Sequence, residues 1–402
     1  MDAGRRLVLL GAGIAATVGV ASALAWRSDS GLVPRDGGLA DQRPERLFLA
    51  LLACGFVGYV VAMLAARSGK LRLRLAIAIA IVVQAIPLGA PLLLSTDSWT
   101  YWGYGWISAK GDGNPYRDAP ASRPESPALP HLGAAWRGTT TVYGPAFTAG
   151  SEVVAVAAGR SHDRAAWIWK ALATIAMVAA TLLAARLSSR PLLAVVAVGW
   201  SPLLAIHAAG GGHNDAWVGA LVLAALALGA GARVRSEGAI WSLAVAVKWI
   251  PLALLPLRLL ATRSAKLGVA FASAAIGLAI LASLRYGIAW LDAITPLARN
   301  AATRTSYAFP ARLEQLGLPS SVAVGLAITG FGIGYLALVR LALRGKARYG
   351  LTACLALVTT PYLAVWYLGW AVPLSAVDDE DTAPLVLVTL LGAYLLPQTI
   401  PI

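Results

Sequence analysis

An acidic side chain opens the longest polar interval in the chain. Asp97 follows an apolar run that ends at Leu94, and aromatic residues continue to Trp106, before a Gly-Asn-Pro turn at 113–115. A carboxylate between an apolar segment and amphipathic aromatics is typical of an ionisable group at a membrane interface, with an aromatic platform beside it. The alternative is a helix cap, because the Ser-Thr-Asp sequence that ends at Asp97 consists of good capping residues.

A second polar run combines histidines, an amide and an acid. His207 is followed, after a glycine-rich stretch, by His213, Asn214 and Asp215. Two histidines and an aspartate could ligate zinc, but the glycine-rich stretch separates them and the HExxH spacing of a helical zinc site is absent. We therefore expect no metal ion and no cofactor. Asp215 could also cap the helix that follows it.

A lysine and a proline interrupt a later apolar segment. Lys248 and Pro251 lie within residues 238–260, which are otherwise long enough to span a bilayer. A proline removes a helix hydrogen bond, and a lysine at mid-membrane depth is costly unless it faces protein or water. The pair indicates either a kinked helix with a snorkelling lysine or a re-entrant hairpin whose lysine holds a lipid phosphate.

Composition places these groups in a membrane. Of the 402 residues, 58% are hydrophobic and 13% are charged, and several apolar runs reach the length of a transmembrane helix. The sequence predicts an all-α polytopic membrane protein that forms a single integral membrane domain over residues 1–402. Cys54 and Cys354 lie in apolar runs, which argues against disulfides. The Lys and Arg residues behind the net charge of +14 collect in short loops, a pattern of orientation and anionic-lipid contact and not of nucleic-acid binding.

The first apolar segments determine the predicted orientation. We predict an uncleaved first helix at 7–26, with a cleaved signal peptide as the alternative, and further spans at about 47–66 and 75–94. Because short cytoplasmic loops are rich in Lys and Arg, we place the loop between the latter two inside and Asp97 outside. The basic residues of that loop are Arg67, Lys70, Arg72 and Arg74.

The remaining segments alternate between the two faces. We predict an outer loop at 95–164 with a surface helix at 145–158, and a second outer loop at 285–320. A re-entrant hairpin at 238–260 keeps the later basic loops inside, whereas a spanning helix would move them outside. The total is about eleven crossings plus two re-entrant half-helices and outer juxtamembrane helices. Other predicted helices cover 165–187, 191–206, 216–231, 267–284, 322–343 and 351–360, with a last crossing before residue 402.

On this topology the outer face collects groups that suit a glycolipid. The 213–215 run joins Asp97 there, together with aromatic side chains and an arginine-bearing loop. Aromatic faces stack on sugar rings and arginine binds phosphate, so the pocket suits a sugar beside an anionic lipid head group. The arginines are otherwise solvated loop charges, and which of them binds phosphate stays open. The aromatic residues are Trp366 and Tyr367, and the arginines are Arg299, Arg304 and Arg312.

Taken together, these motifs resemble a known family. They are similar to the GT-C glycosyltransferases, and most of all to the actinobacterial polyprenol-phosphomannose-dependent α-1,6-mannosyltransferases of lipomannan assembly. The resemblance runs in order through nearly the whole chain, although each motif alone is weak. It rests on Asp97 with Tyr101, on residues 113–116, 143–145 and 212–215, on 246–248 with Pro251, and on Trp366, Tyr367 and Trp370.

The resemblance implies an activity and roles for named residues. It implies inverting transfer of mannose from a polyprenyl-phosphate-mannose donor to a lipid-linked glycan acceptor on the outer face of the cytoplasmic membrane. Asp97 matches the family's outer aspartate and would act as general base, while cations stabilise the departing lipid phosphate. Besides membrane lipids, the expected partners are these two substrates. We predict that they contact Tyr101, Asn114, Tyr116, Tyr143, His213, Asn214, Asp215, Lys248, Arg304, Trp366 and Tyr367.

The chain departs from the family pattern near the predicted base. Family members often carry a second acid beside the first, whereas only Asp97 is acidic in the Thr-Asp-Ser sequence here. Two other functions stay open at this point. One is a GT-C enzyme with a different polyprenyl-phosphate sugar, such as a pentose or glucose. The other is a lipid or solute transporter, because broken helices at depth also occur in transporters, although no inverted repeat is visible.

Overall fold

The computed structural model of the chain describes residues 3–28, 30–34, 43–69, 71–110, 112–302 and 304–400. Helices make up most of these residues, and no β-strand occurs within the described ranges. The predicted all-α class is therefore confirmed. Lys70, one of the basic residues used to orient the chain, lies outside the described residues.

The described chain is a succession of α-helices, several of them joined by single turns of 3-10 helix. Long apolar helices alternate with shorter ones that pack between them. The α-helices are α1 (Ala3–Ala23), α2 (Arg43–Ala66), α3 (Leu73–Ala85), α4 (Asp97–Ala109), α5 (Ala134–Arg137), α6 (Pro145–Ala158), α7 (His162–Leu187), α8 (Pro191–Gly199), α9 (Pro202–Ala205), α10 (Asp215–Ala230), α11 (Val234–Val247), α12 (Leu255–Thr262), α13 (Ala265–Tyr286), α14 (Ile294–Ala302), α15 (Phe309–Gln315), α16 (Ser320–Leu343), α17 (Tyr349–Thr359), α18 (Leu368–Ala376) and α19 (Ala383–Leu395).

The length and composition of these helices support a membrane protein. Five described segments are long and apolar enough to cross a bilayer, and a sixth is obtained if the pair Pro191–Gly199 and Pro202–Gly210, bent by 48°, counts as one span. Six further apolar helices have 10–17 residues. The count of about eleven crossings stays a prediction. The five long segments are Gly4–Trp26, Glu45–Ala66, His162–Leu187, Ala265–Arg299 and Ser320–Leu343.

A buried helix in the core of the molecule positions its neighbours. Residues 193–199 of α8 are all buried, as is Trp200 directly after them. The Trp200 indole N–H donates to the carbonyl of Ala76 on α3 at 3.0 Å. A β-carbon on Gly199 would come within 2.4 Å of the side chain of Ala80, which also lies on α3. A helix that is apolar on every side is expected in such a core.

The third helix ends earlier than the sequence predicts. α3 and the single turn Ile86–Gly89 after it stop well before Leu94, where helix was predicted to end. Pro91 cannot donate an amide hydrogen and disfavours helical backbone in the residue before it. The end of the helix leaves backbone carbonyls without a helical partner. The buried ammonium of Lys170 on α7 binds two of them, because it donates to the carbonyls of Leu88 and Pro91 at 3.4 and 3.2 Å.

The aromatic stretch after Asp97, which we predicted as a platform beside the carboxylate, is a buried helix. Tyr101, Trp102 and Tyr104 on α4 are each at most 1% exposed. A β-carbon on Gly105 would lie 2.0 Å from the carbonyl oxygen of Ser151 on α6. The glycine therefore lets the backbones of α4 and α6 touch. α6 itself has the bounds that the sequence predicts for its helix at 145–158.

The interrupted segment reverses direction at its lysine. α11 ends before Lys248, which has extended backbone, and a single turn containing Pro251 leads into α12. Arg258 on α12 donates from Nε to Oε1 of Glu237, in the first turn of α11, at 2.7 Å. α12 therefore returns towards the start of α11, which agrees with the predicted hairpin and not with a straight span.

An ion-pair network lies at the end of the molecule to which α12 returns. Arg348 donates to Asp378 at 2.7 Å and to Asp381 at 2.9 Å, and Lys346 donates to Glu380 at 2.7 Å. The acidic run after α18 thus neutralises the basic loop after α16. The ion-pair network consists of Glu237, Arg258, Lys346, Arg348, Asp378, Glu380 and Asp381.

Loops that we predicted on the inner face meet at this end. A cavity of about 630 Å³ is lined by Leu187, Ala230, Thr262 and Tyr349, which lie at the ends of four helices, and by the acidic run. α10 starts at Asp215 and ends at Ala230 after sixteen residues, which corresponds to about 24 Å. The 213–215 run and the ion-pair network therefore lie at opposite ends of α10. Which membrane face each end meets stays a prediction.

Candidate active site

A tight glycine loop connects the 213–215 run to the start of α4. Gly212 has a φ of +69°, a conformation that favours glycine. A β-carbon there would come within 2.3 Å of the Ser98 hydroxyl, which donates to the carbonyl of Gly211 at 3.0 Å. This close contact holds His213 next to the first turn of α4.

Asp97 faces the imidazole of His213. Oδ2 of Asp97 lies 3.2 Å from Nδ1 of His213 and accepts a 3.4 Å hydrogen bond from the Tyr101 hydroxyl. Nδ1 lies within ion-pair distance but lacks the direction of a hydrogen bond, so the contact is chiefly electrostatic. The side chain of Asp97 is 14% exposed, against 2% for His213. Thr96 occupies the N-cap position and no side chain caps this helix, which leaves the helix-cap interpretation of Asp97 without support.

The surroundings keep Asp97 ionised. It lies outside the long apolar helices. Burial raises the pKa of Asp97, but the neighbouring imidazole of His213 and the charge of Lys248 outweigh this effect, so the pKa lies below its ordinary value. A partly exposed, ionised carboxylate without an Arg or Lys partner at ion-pair distance can accept a proton from a substrate hydroxyl.

The imidazole is held against an indole. The rings of His213 and Trp366 are stacked with centroids 4.3 Å apart and an interplanar angle of 9°. The ring centroid of His207 lies 6.0 Å from that of His213 and 6.2 Å from that of Trp366. Trp366 belongs to the turn Val365–Tyr367 directly before α18. Two segments distant in sequence thus fix the plane of the imidazole next to Asp97.

Several buried polar atoms in this region have no hydrogen-bond partner. They are both ring nitrogens of His213, Nδ2 of Asn214 and Nε2 of His207, and all three side chains are at least nine-tenths buried. Buried polar atoms in proteins are nearly always paired, since an unpaired one costs about 1–3 kcal/mol. Unpaired donors and acceptors around an ionised carboxylate therefore favour a site that is completed by a polar ligand.

A lysine at the hairpin tip closes the other side of the site. Lys248 Nζ donates to both carboxylate oxygens of Asp215 at 2.9 and 2.8 Å, and to Oδ1 of Asn214 at 3.3 Å. It also lies 5.1 Å from the ring centroid of Tyr367. Asp215 is 2% exposed, whereas Lys248 is 21% exposed. The carboxylate of Asp215 is thus fully engaged, while part of the Lys248 side chain stays exposed.

Aromatic side chains build the wall behind Asp97. The ring of Tyr101 meets those of Tyr143 and Phe147 edge-on, with centroids 5.2 and 4.9 Å away. A β-carbon on Gly144 would come within 2.2 Å of the carbonyl oxygen of Ala246 on α11. The 143–145 motif therefore holds the hairpin, and with it Lys248, against the wall.

Asn114 and Tyr116 are not brought to this site. The Asn114 side-chain amide donates to the carbonyl of Tyr286 at 2.7 Å, and its Oδ1 accepts from the Tyr116 N–H at 3.1 Å. The Tyr116 hydroxyl donates to the carbonyl of Tyr143 at 3.1 Å. Both side chains hold the outer segment together, and substrate contact by either stays a prediction.

Arg304 lies in the segment beside the site but pairs elsewhere. Its guanidinium forms an ion pair with Glu314, and its side chain is 31% exposed. The neighbouring Thr305 hydroxyl donates to the carbonyl of Leu363 at 2.9 Å, which docks this segment against the chain that leads to Trp366. Binding of phosphate by Arg304 stays a prediction.

Eight of the twelve predicted residues therefore meet in one place, and Tyr143 packs directly behind them. Sequence reasoning did not single out Ser98 or Phe147, and it considered His207 only as a zinc ligand. The signal for Ser98 was its position beside Asp97. Within the described residues no group of three or more His, Cys, Asp or Glu side chains could hold a metal ion. The active-site cluster consists of Asp97, Tyr101, His213, Asn214, Asp215, Lys248, Trp366 and Tyr367.

Comparison with known proteins adds a family to this geometry. Residues 4–264 match the family model described as alpha-(1->6)-mannopyranosyltransferase, N-terminal domain. The matched range contains Asp97, the 213–215 run and Lys248, whereas Trp366 and Tyr367 lie beyond it. No curated protein and no solved structure gives a significant match to the chain.

Proposed function

The chain belongs to the α-(1→6)-mannopyranosyltransferase family, and we propose that it transfers mannose from polyprenyl-phosphate-mannose to a lipid-linked mannan or glycolipid, with Asp97 as general base. Transfer occurs with inversion on the outer face of the cytoplasmic membrane. The observation that supports this proposal is that the active-site cluster contains both a proton acceptor and a cation. Its accessible carboxylate faces His213 and Tyr101 without a Lys or Arg at ion-pair distance among the described residues, and the partly exposed side chain of Lys248 belongs to the same cluster.

The chemistry needs one proton acceptor and one cation. As the acceptor hydroxyl attacks the anomeric carbon of the donor mannose, its proton passes to Asp97. The bond between that carbon and the phosphate oxygen breaks, and the polyprenyl phosphate leaves with the electron pair. General base catalysis of this kind contributes about 10²- to 10⁴-fold. The ammonium of Lys248 offsets the negative charge that develops on the departing phosphate.

The two acids of the cluster have different environments and, in this proposal, different tasks. Asp215 binds Lys248 through both carboxylate oxygens and is 2% exposed, so it orients the lysine. Asp97 keeps one side open to substrate. The aromatic faces of Trp366 and Tyr367 offer stacking surfaces for the sugar rings.

The position of the cluster supports an outward-facing site. The loops with the ion-pair network lie at the other end of α10, and they include a basic loop with Arg344, Lys346 and Arg348. Lys and Arg in short loops favour the cytoplasmic side. The cluster then faces outward, where a lipid-linked donor is available. The family match favours an enzyme over the transporter that the broken helices left open.

The test is a transfer assay with purified protein in detergent or vesicles. Labelled polyprenyl-phosphate-mannose and short α-mannosides should yield an α-1,6-linked product, whereas polyprenyl-phosphate-glucose and the pentose donor should not. Asp97→Asn should insert and fold yet lose turnover. Asp292→Asn, a change at an exposed acid outside the cluster, should retain it. Full turnover by Asp97→Asn would refute the assignment of the base, and a preference for another donor would refute the assigned sugar.

A further inference from the structure

A second cavity, of about 650 Å³, lies on the other side of the first turn of α4. That volume falls within the range of about 300–1,000 Å³ that is usual for small-molecule sites. Its lining combines aromatic rings, imidazoles, prolines and one carboxylate. The residues that matter for its chemistry are Trp26, Thr96, Trp99, His131, His162 and Asp163.

One wall of this cavity is already rigid. The imidazoles of His131 and His162 are stacked with centroids 4.2 Å apart and an interplanar angle of 17°. Trp99 lies 5.3 Å from His131, and its indole N–H donates to the carbonyl of His162 at 3.1 Å. A ligand that lies against this wall would not have to order it, which reduces the entropic cost of binding.

The margin of the cavity offers an indole and a carboxylate to solvent. Trp26 is 69% exposed at the end of the first long apolar segment. The side chain of Asp163, at the start of α7, is 88% exposed, with Oδ1 3.3 Å from Nε2 of His162. An aromatic face beside a carboxylate suits a sugar ring, since the face contacts the ring C–H groups and the carboxylate accepts hydrogen bonds from hydroxyls.

The charge of the cavity lining does not suit the phosphate of a lipid-linked donor. No Lys or Arg side chain lines the cavity within the described residues, and the one formal charge is the carboxylate of Asp163. A phosphate would therefore meet repulsion and no cation. A neutral polyol meets hydrogen-bond acceptors, imidazoles and apolar ring faces. The chemistry thus favours the sugar part of an acceptor over the phosphate of a donor.

The cavity lies next to Asp97, because a residue that lines it is the direct neighbour of Asp97 in the chain. Thr96 lines it and directly precedes Asp97, so the two residues are about 3.8 Å apart at their Cα atoms. The Thr96 hydroxyl accepts from the N–H of Gly133, which fixes the edge of the cavity beside the first turn of α4. A glycan that reacts at Asp97 can pass over this turn and place its next sugars in the cavity.

We infer that this cavity is a distal acceptor subsite, which holds the sugars of an α-mannan chain next to the one that reacts. The inference rests on the proposed function, because a mannan acceptor is part of it. The subsite makes the enzyme prefer an acceptor of several sugars to a single mannoside. Loss of the subsite would weaken binding of the acceptor and leave the rate of the chemical step unchanged.

The kinetic test compares two acceptors in Asp163→Asn and in Trp26→Ala. With an octyl α-1,6-mannotrioside, each variant should raise KM about tenfold, the loss expected for one charged hydrogen bond or one stacking contact, with kcat unchanged. With octyl α-mannoside, which reaches only the reacting position, KM should stay at the wild-type value. Glu125→Gln changes an exposed acid of the same outer segment that does not line the cavity, so it should leave both values unchanged.

Equal effects on the two acceptors, or no effect on either, would overturn the inference. A phospholipid that copurifies with the wild type and is lost in Trp26→Ala would also overturn it, because the cavity would then hold lipid. Binding without turnover separates this inference from the proposed function. In saturation-transfer NMR, α-1,6-mannotriose should bind to Asp97→Asn and bind about tenfold more weakly when Asp163→Asn is added. Absence of mannosyl transfer by the wild type would count against the proposed function alone.

Discussion

The two ends of α10 differ in how their carboxylates are paired. In the ion-pair network, Asp378 and Asp381 share Arg348, Lys346 binds Glu380, and each of these acids has a permanent cation within 2.9 Å. In the active-site cluster, Asp97 contacts His213 and Tyr101, and no Lys or Arg of the described chain lies at ion-pair distance from it. An acid that is permanently paired stabilises a fold, whereas an acid without a fixed cation is free to take a proton.

The same contrast appears inside the cluster. Asp215 resembles the acids of the ion-pair network, because Lys248 binds both of its oxygens. It differs from them in its position, because its cation also contacts Asn214 and the ring of Tyr367 within the cluster. A structural ion pair at the edge of a ligand site can thus hold a cation ready for an anion. Changes at the two ends should therefore separate effects on activity from effects on stability.

The largest effect is expected from removing the unpaired acid. Asp97→Asn should lower kcat by about 10³-fold, since it removes the general base, with little change in thermal stability. The measurement is single-turnover transfer from labelled polyprenyl-phosphate-mannose, with a parallel melting curve. Asp378→Asn is the counterpart in the ion-pair network and should lower the melting temperature while kcat of the folded protein is retained. The reverse pattern would contradict the division between the two ends.

The next largest effect is expected at the lysine. Lys248→Met should lower kcat/KM about 10²-fold and destabilise the protein by about 3 kcal/mol, because Asp215 is left buried without its cation. Adding Asp215→Asn should restore most of the stability but not the activity. Recovery of activity in the double variant would mean that Lys248 serves only to neutralise Asp215.

A smaller effect, on stability alone, is expected in the ion-pair network. Arg348→Met leaves Asp378 buried and unpaired and should cost about 2–3 kcal/mol of unfolding free energy. Denaturant unfolding in detergent measures the loss. KM and kcat should match the wild type at a temperature where the variant is folded. A change in KM for the donor would show that the two ends communicate.

The smallest effect is a shift in pH dependence. In the proposed function, transfer requires ionised Asp97, so activity should be lost as pH falls through its pKa, which His213 and Lys248 hold below the ordinary value of about 3.9 for Asp. His213→Gln removes part of that effect and raises the pKa. The acidic limb of the kcat/KM profile should therefore move to higher pH, with a smaller change at neutral pH. An unchanged limb would show that His213 does not act on Asp97.

Local patterns predicted most of the helices, whereas long-range contacts decided where some of them end. The helix at 145–158 has the predicted bounds because proline starts it and glycine ends it. The end of α3 was predictable only in part. Pro91 is a local signal for it, but the carbonyls left there are bound by Lys170, some eighty residues later, and no local pattern predicts that contact.

The same distinction applies to the candidate site. Asp97, His213 and Lys248 could be grouped from sequence because charged residues are rare in apolar segments and therefore conspicuous. Asn114 had the same polar appearance, yet its amide binds the carbonyl of Tyr286 from a distant helix. Position in a polar loop does not distinguish a residue that binds substrate from one that holds the loop.

On the proposed function, the reversal of the chain at Lys248 sets a depth for the reaction. The fourteen residues of α11 are about 21 Å long, whereas the hydrocarbon layer of a bilayer is about 30 Å thick. With the start of α11 at the inner surface of the membrane, the ammonium would lie beneath the plane of the outer lipid head groups. A lipid-linked donor would then reach it sideways from the bilayer, at a level where water is scarce and hydrolysis of an activated sugar is limited.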